Sequence, residues 1–170
     1  MASSPTPRFI VFGAGVIGLT TALRLRTAFP TSSITIVAKH FPGDRSIEYT
    51  SPWAGANWCS MAYDNGPLEN YDRISFRKFG ELVDRTPEAG IVRMPLRGLF
   101  DGKIDEVDML SEGTGKIWYE ELVGGIREVE GSELQGAVFG VEFGSFMVNS
   151  QVYLGWWVAS FSFSFFLFYL

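Results

Sequence analysis

Residues 13–18 read Gly-Ala-Gly-Val-Ile-Gly and stand between a short apolar run, Arg8–Phe12, and a stretch with apolar residues at helical spacing, Val16–Ala28. Pro30 ends the predicted helix, and the β-branched run Ser33–Ala38 predicts a second strand. Strand, helix and strand in this order form a βαβ unit, which builds a parallel sheet with helices on its faces. The chain is therefore predicted to have an α/β fold that begins with a Rossmann-like parallel sheet.

The glycine spacing in residues 13–18 matches the G-x-G-x-x-G pattern of dinucleotide-binding turns. Gly13 permits the tight turn, Gly15 leaves the backbone open to a pyrophosphate, and Gly18 lets the helix pack closely on the strand. Backbone N–H groups and the positive end of the helix dipole would hold the anion. The alternative is a glycine-rich turn with a purely structural role. We expect a dinucleotide to contact these residues: Gly13, Ala14, Gly15, Val16, Ile17 and Gly18.

The same pattern predicts an acidic residue about 20 positions later, where it would bind a ribose. Ala38, Lys39 and His40 stand there instead. A basic residue suits the 2′-phosphate of NADP, so the βαβ unit alone leaves both FAD and NADP open. An NADP-dependent dehydrogenase is therefore one alternative function.

Residues 40–70 are rich in Pro, Gly, Ser and Asn and predict a long irregular loop, a common location of functional residues. Within this loop, residues 54–56 read Ala-Gly-Ala and present a nearly bare backbone, against which a flat ring system could lie. The amide of Asn57 can both donate and accept hydrogen bonds. An ordinary loop anchored by its two tryptophans, Trp53 and Trp58, explains the same residues, so both interpretations stay open.

The rest of the chain predicts further helices and strands without an internal repeat. Asp72–Arg85 has an apolar and a charged face and predicts a helix that ends before Pro87. Three later segments predict a strand, a short helix and a strand: Ile91–Phe100, Ile117–Val123 and Ala137–Val148.

Composition excludes several classes of site. Cys59 is the only cysteine, which excludes an internal disulfide framework and a metal site built from several cysteines. His40 is the only histidine, so any Ser-His-Asp triad would have to contain it. The net charge is −5 and no basic stripe is present, which argues against nucleic-acid binding.

The run SPWAGANW, placed shortly after the βαβ unit, resembles the flavin-contacting loop of D-amino-acid oxidases, particularly the microbial members. Other similar stretches include IVFGAGVIGLTTALRL, ITIVAKHFPGD, WYEELVGGIREV followed by ELQGAVFGVEF, and FMVNSQVYLGW. The similarity covers about Phe9–Trp157. Where the family often has a basic and then an acidic residue after the second strand, Lys39 keeps the first and His40 replaces the second.

The resemblance implies a Rossmann-like FAD-binding domain, followed by the beginning of a mixed α+β substrate domain that is incomplete here. It implies tightly bound, non-covalent FAD and the oxidation of D-amino acids to 2-oxo acids, ammonia and hydrogen peroxide. No catalytic residue and no metal ligand maps onto this chain, because the family's substrate-binding arginine and tyrosines lie in a later half. Beyond residues 13–18, the cofactor-binding residues that it implies are Lys39, His40, Ser51, Gly55, Ala56 and Asn57.

The last residues differ in character from the rest. Family chains are roughly twice as long, so we interpret residues 1–157 as the N-terminal part of the oxidoreductase domain. We interpret residues 158–170 as a hydrophobic tail foreign to the family, produced by a truncated or wrongly assembled gene. We expect this chain alone to fold poorly and to be inactive as an oxidase.

The tail leaves one further alternative, a non-catalytic flavin-binding fragment that associates with a membrane through residues 152–170. The serines in this segment and the absence of a basic flank at its end disfavour a membrane span. The resemblance implies a peroxisomal or cytoplasmic location, and no targeting signal is visible; the final Phe-Tyr-Leu is not a peroxisomal one. The oligomeric state is left open.

Overall fold

The computed structural model describes residues 6–160 and 165–169. They form two compact units. The first contains the residues up to Ala56, Glu88–Gly90 and the residues from Asn149 onward, and the second contains Asn57–Pro87 and Ile91–Val148. The division of the chain at residue 157, made from the family resemblance, stays a prediction.

The first unit contains the predicted βαβ arrangement. Strand β1 (Arg8–Phe12), helix α1 (Val16–Ala28) and strand β2 (Ser33–Ala38) have the bounds expected from the sequence. β1 and β2 are parallel, with Arg8 opposite Ser33. A strand at Phe165–Tyr169 pairs in parallel with the other side of β2. The predicted βαβ unit with parallel strands is confirmed, and it is consistent with an incomplete Rossmann-like domain.

One face of this sheet forms the core of the first unit. Ile34 and Ile36 of β2 and Leu19 of α1 have no exposed surface. Helix α3 (Ser150–Ser160) contacts α1 and contributes Leu154, which is 1% exposed. Burial of these side chains is the main stabilising contribution, because each removes a large apolar area from water.

The opposite face of β1 is uncovered in the described residues. Ile10 is 64% exposed and Phe12 is 76% exposed, whereas Val11, which points to the other face, is buried. Parallel sheets are normally covered on both faces. The poor folding that we expect of the chain alone stays a prediction.

The second unit packs helix α2 (Pro67–Arg85) on an antiparallel sheet. Strands β3 (Ile91–Phe100) and β5 (Phe139–Val148) pair along their full length, and β4 (Ile126–Glu128) pairs with the other side of β5. Phe146 of β5 belongs to the core of this unit and is 1% exposed.

Two predicted boundaries of the second unit are wrong. Helix α2 begins at Pro67 rather than at Asp72, so the loop predicted for residues 40–70 ends at Gly66. The carboxylate of Asp64 accepts hydrogen bonds from the backbone N–H groups of Leu68 and Glu69, each at 3.1 Å, and so caps the early first turn. Strand β5 begins at Phe139 rather than at Ala137.

The short helix predicted for Ile117–Val123 is not formed; these residues make successive turns. Gly124 and Gly125 follow with φ of 82° and 110°, which turns the chain away from a helical path. The aromatic residues instead make tertiary contacts: Trp118 Nε1 donates to the carbonyl of Ala62 at 2.8 Å, and Tyr119 is buried.

Within the described part of the chain, no helix has the length and apolar character needed to cross a bilayer. Residues 161–164 and 170, which belong to the tail that the membrane alternative invokes, lie outside the described residues. The described residues also contain no cluster of His, Cys, Asp and Glu side chains able to hold a metal ion.

Candidate functional site

The glycine turn follows β1 directly and leads into α1. Gly13 has a φ of 96°, and its N–H donates to the carbonyl of Val37 at 2.8 Å, which ties the turn to β2. A Cβ added to Gly18 would lie 2.0 Å from the carbonyl oxygen of Gly13. Both glycines are therefore required by the backbone itself, as the sequence pattern predicts.

Gly15 has a second neighbour that the sequence pattern did not reveal. A Cβ added to Gly15 would lie 2.7 Å from Ser51 Oγ, and the N–H of Val16 donates to the same oxygen at 3.1 Å. Gly15 thus makes room for the hydroxyl group of Ser51. The structure brings Ser51, predicted from the resemblance, directly onto the N-terminus of α1.

Side chains within the turn face different environments. Ala14 is 2% exposed, whereas Val16 and Ile17 are exposed. The contact of a dinucleotide with residues 13–18 stays a prediction; within this turn, Val16 and Ile17 are the two positions whose side chains are open to solvent.

Tyr49 connects the following loop to the glycine turn, and sequence reasoning missed it. Its hydroxyl donates to the carbonyl of Ala14 at 2.6 Å, and its ring stacks on His40 with a centroid distance of 6.1 Å. Burial raises the pKa of Tyr49 to about 12, so the hydroxyl stays protonated near neutral pH and keeps donating. In the sequence, the only indication of this role is that Tyr49 is an aromatic residue two positions before Ser51.

Lys39 and His40, at the end of β2, share one carboxylate. Glu48 Oε2 accepts a hydrogen bond from Lys39 Nζ and lies 3.3 Å from His40 Nε2. His40 Nδ1 lies 3.7 Å from Asp44 Oδ2. Hydrogen bonding from Lys39, and secondarily from His40, lowers the pKa of Glu48. Sequence reasoning missed Glu48, because it looked for the acidic residue directly after β2.

The segment predicted to contact a flat ring is exposed. Gly55 has a φ of 101° and a Cβ built on it would meet nothing within 4 Å. Its carbonyl accepts from the N–H of Ser150 at 3.3 Å, and Ser150 Oγ donates to the carbonyl of Pro52 at 3.0 Å. Helix α3 therefore holds this segment from its first residue. Ala56 is exposed as well.

Asn57 belongs to the second unit rather than to the first. Its backbone forms an isolated antiparallel bridge with Met147, and the residue is exposed. The side chain is therefore available to a ligand, while the backbone is fixed to the end of β5.

The chain is similar in sequence to two curated D-amino-acid oxidases and to a D-aspartate oxidase. The chain is 36% identical over 160 residues to a D-amino-acid oxidase of Schizosaccharomyces pombe, an alignment that covers 92% of this chain and 43% of that protein. It is 37% identical over 153 residues to a D-amino-acid oxidase of Fusarium vanettenii, covering 86% and 42%. A D-aspartate oxidase of Talaromyces thermophilus is 28% identical over 171 residues, covering 88% and 45%. No family model matches the chain.

Among solved structures, the crystal structure of an iminodiacetate oxidase from Chelativorans sp. BNC1 aligns with a TM-score of 0.64 at 17% identity. The alignment covers 95% of this chain and 46% of that one, and it shows a shared fold. The chain thus spans less than half the length of the curated relatives that it matches. It is a homologue of the D-amino-acid oxidases and corresponds to the N-terminal half of those proteins.

Proposed function

We propose that this chain provides the first part of the FAD site of a D-amino-acid oxidase-type flavoprotein. The observation that carries the proposal is the turn Gly13–Gly18, which joins β1 to the N-terminus of α1 beside the end of β2. Ligands of open α/β sheets bind outside the carboxyl ends of the strands, where helix N-termini favour phosphate groups.

The residues present fit the adenosine diphosphate part of FAD. The first turn of a helix leaves backbone N–H groups without intrahelical partners, and α1 has no acidic side chain in its first turn to repel a pyrophosphate. We propose that the backbone of residues 13–18 holds the pyrophosphate and that the end of β2, with Lys39 and His40, lies at the adenosine. We propose that Ser51 orients the turn through Val16.

Residues 55–57 are proposed to lie against the isoalloxazine ring. Gly55 and Ala56 offer exposed backbone without bulky side chains, and Asn57 offers an exposed amide. When bound, FAD supplies the acceptor for the hydride that leaves the substrate. The chain's own contribution is to hold and orient the cofactor, and none of its residues is proposed to transfer a proton.

For the whole protein we propose the oxidation of D-amino acids to 2-oxo acids, ammonia and hydrogen peroxide, in the peroxisome or the cytoplasm. The names of the three relatives support a D-amino acid as the small-molecule substrate. The NADP-dependent alternative is weakened, because Lys39, the cation that would attract a 2′-phosphate, is paired with Glu48.

Gly15→Val is expected to abolish FAD binding by the 170-residue chain. A side chain at this position would collide with Ser51 Oγ, 2.7 Å from the added Cβ, or displace the loop and enter the space proposed for the pyrophosphate. Isothermal titration calorimetry with FAD, checked by flavin absorbance after gel filtration, measures the effect. Peroxide formation from D-alanine and D-aspartate is assayed in parallel.

The matched control is Gly155→Val in α3, where a Cβ meets nothing within 4 Å. It is expected to bind FAD as the unchanged chain does. Both variants and the unchanged chain are measured on soluble protein whose folding is checked by circular dichroism. The proposal is wrong if the folded unchanged chain shows no FAD binding, or if folded Gly15→Val binds FAD with unchanged stoichiometry and affinity.

Asn57→Ala is expected to shift the absorbance spectrum or the reduction potential of bound FAD while leaving the melting temperature of the chain nearly unchanged. Alanine keeps the backbone bridge to Met147 and removes only the exposed amide. The control is Asn70→Ala, which removes an exposed side-chain amide on α2. A shift in melting temperature with an unchanged flavin spectrum would mean that Asn57 has a structural role only.

A further inference from the structure

The dinucleotide pattern of the first unit lacks its usual acidic residue at the end of β2. Ala38-Lys39-His40 occupies this place, yet a ribose with free hydroxyl groups is best bound by a carboxylate, which accepts two hydrogen bonds. The nearest structural substitute is Glu48, which reaches the same strand end from the loop that follows.

The two contacts of the Glu48 carboxylate both use one oxygen. Lys39 Nζ donates to Oε2, and His40 Nε2 lies 3.3 Å from Oε2. Within the described part of the chain, Oε1 accepts no hydrogen bond, and the Glu48 side chain is 58% exposed. The group is therefore held in place through one oxygen and has its other oxygen available to a ligand.

The position of Glu48 is fixed relative to the glycine turn by its neighbour in the chain. Tyr49 donates to the carbonyl of Ala14 at 2.6 Å, and its ring stacks on His40. The N–H of Gly13 donates to the carbonyl of Val37, which connects the glycine turn to the end of β2. Glu48 therefore lies one residue from a direct contact with the turn that is proposed to hold the pyrophosphate.

We propose that Glu48 binds the 2′- and 3′-hydroxyl groups of the adenosine ribose, and that its ion pair with Lys39 makes the site select a free 2′-hydroxyl over a 2′-phosphate. This rests on the proposed FAD binding and names a residue that determines its specificity. Two hydroxyl groups can donate to a carboxylate, whereas a phosphate dianion would face Glu48 and Asp44 with only Lys39 and His40 to offset them.

The experiment compares ADP-ribose with 2′-phospho-ADP-ribose, two probes that differ by the single phosphate, on the 170-residue chain by isothermal titration calorimetry. The unchanged chain is expected to prefer ADP-ribose. Glu48→Gln is expected to lower the affinity for ADP-ribose and for FAD about tenfold, as for the loss of a charged hydrogen-bond partner. The same variant is expected to raise the affinity for 2′-phospho-ADP-ribose, because Lys39 is released from its ion pair. Glu88→Gln, an exposed glutamate of the same unit, is expected to change neither.

Lys39→Met provides a second variant in case Glu48→Gln fails to fold, as checked by circular dichroism. It leaves the Glu48 carboxylate without its cation and is expected to weaken the binding of 2′-phospho-ADP-ribose by a larger factor than the binding of ADP-ribose. Glu48 is excluded as the ribose-binding residue if the unchanged chain binds FAD and Glu48→Gln shows the same affinities and the same preference for ADP-ribose. It is also excluded if Lys39→Met raises the affinity for 2′-phospho-ADP-ribose. If the folded, soluble unchanged chain binds neither FAD nor ADP-ribose, the FAD proposal is overturned and this one with it.

Discussion

Replacing Gly18 by alanine is expected to destabilise the first unit by about 3 kcal/mol or more, at the upper end of what overpacking costs. The new methyl carbon would lie 2.0 Å from the carbonyl oxygen of Gly13 and 2.9 Å from its carbonyl carbon. Both atoms are backbone and cannot rotate away as a side chain can. Relief requires α1 to move off β1, which opens the core around Leu19.

Hydrogen–deuterium exchange of the β1 and β2 peptides localises this effect to the first unit, and thermal unfolding measures its size. The same substitution at Gly155, exposed in α3 with nothing within 4 Å of an added Cβ, is expected to stabilise by about 0.5–1 kcal/mol through helix propensity. The two glycine-to-alanine changes should thus have opposite signs. If β1 is equally protected from hydrogen–deuterium exchange in Gly18→Ala and in the unchanged chain, Gly18 does not lie against the carbonyl group of Gly13.

The parts of the fold that the sequence predicted are those set by local patterns. The bounds of β1, α1 and β2 follow from an apolar run, helical spacing, a proline and a β-branched run, all within residues 8–38. The helix predicted at Ile117–Val123 failed because its aromatic residues are held by distant groups, such as the carbonyl of Ala62, 56 positions away from Trp118. Local propensity is readily overridden by such contacts.

For the candidate site, too, the sequence predicted local backbone features but not the contacts between distant residues. The glycines and the bare segment at Gly55–Ala56 are visible in the sequence, because they depend on backbone freedom. The contacts that position them join residues 35 positions apart: Ser51 to Val16 and Tyr49 to Ala14. Glu48 was missed for a related reason, since a carboxylate expected directly after β2 is supplied from a loop.

Phe146 is the largest fully buried side chain among the described residues. It is 1% exposed, and its ring lies 4.8 Å from that of Phe76 and 6.2 Å from that of Phe79, between centroids, so it fills the space between β5 and α2. The guanidinium carbon of Arg93 lies 5.2 Å from the ring centroid. The Phe146 carbonyl also accepts from the N–H of Trp58 at 2.9 Å, a contact that any side chain at this position keeps.

Phe146→Ala is accordingly expected to lower the free energy of unfolding of the second unit by about 3–5 kcal/mol, since it removes a fully buried aromatic ring and leaves a cavity. Urea denaturation measures this change in the free energy of unfolding. Hydrogen–deuterium exchange of the β3 and β5 peptides shows whether the loss of stability lies in the second unit. Val92→Ala, on β3 with a side chain that is 47% exposed, is the control and is expected to change stability by less than about 0.5 kcal/mol. A loss at Phe146 no larger than the loss at Val92 would mean that the ring is not enclosed between α2 and the sheet, and the core described for this unit would be wrong.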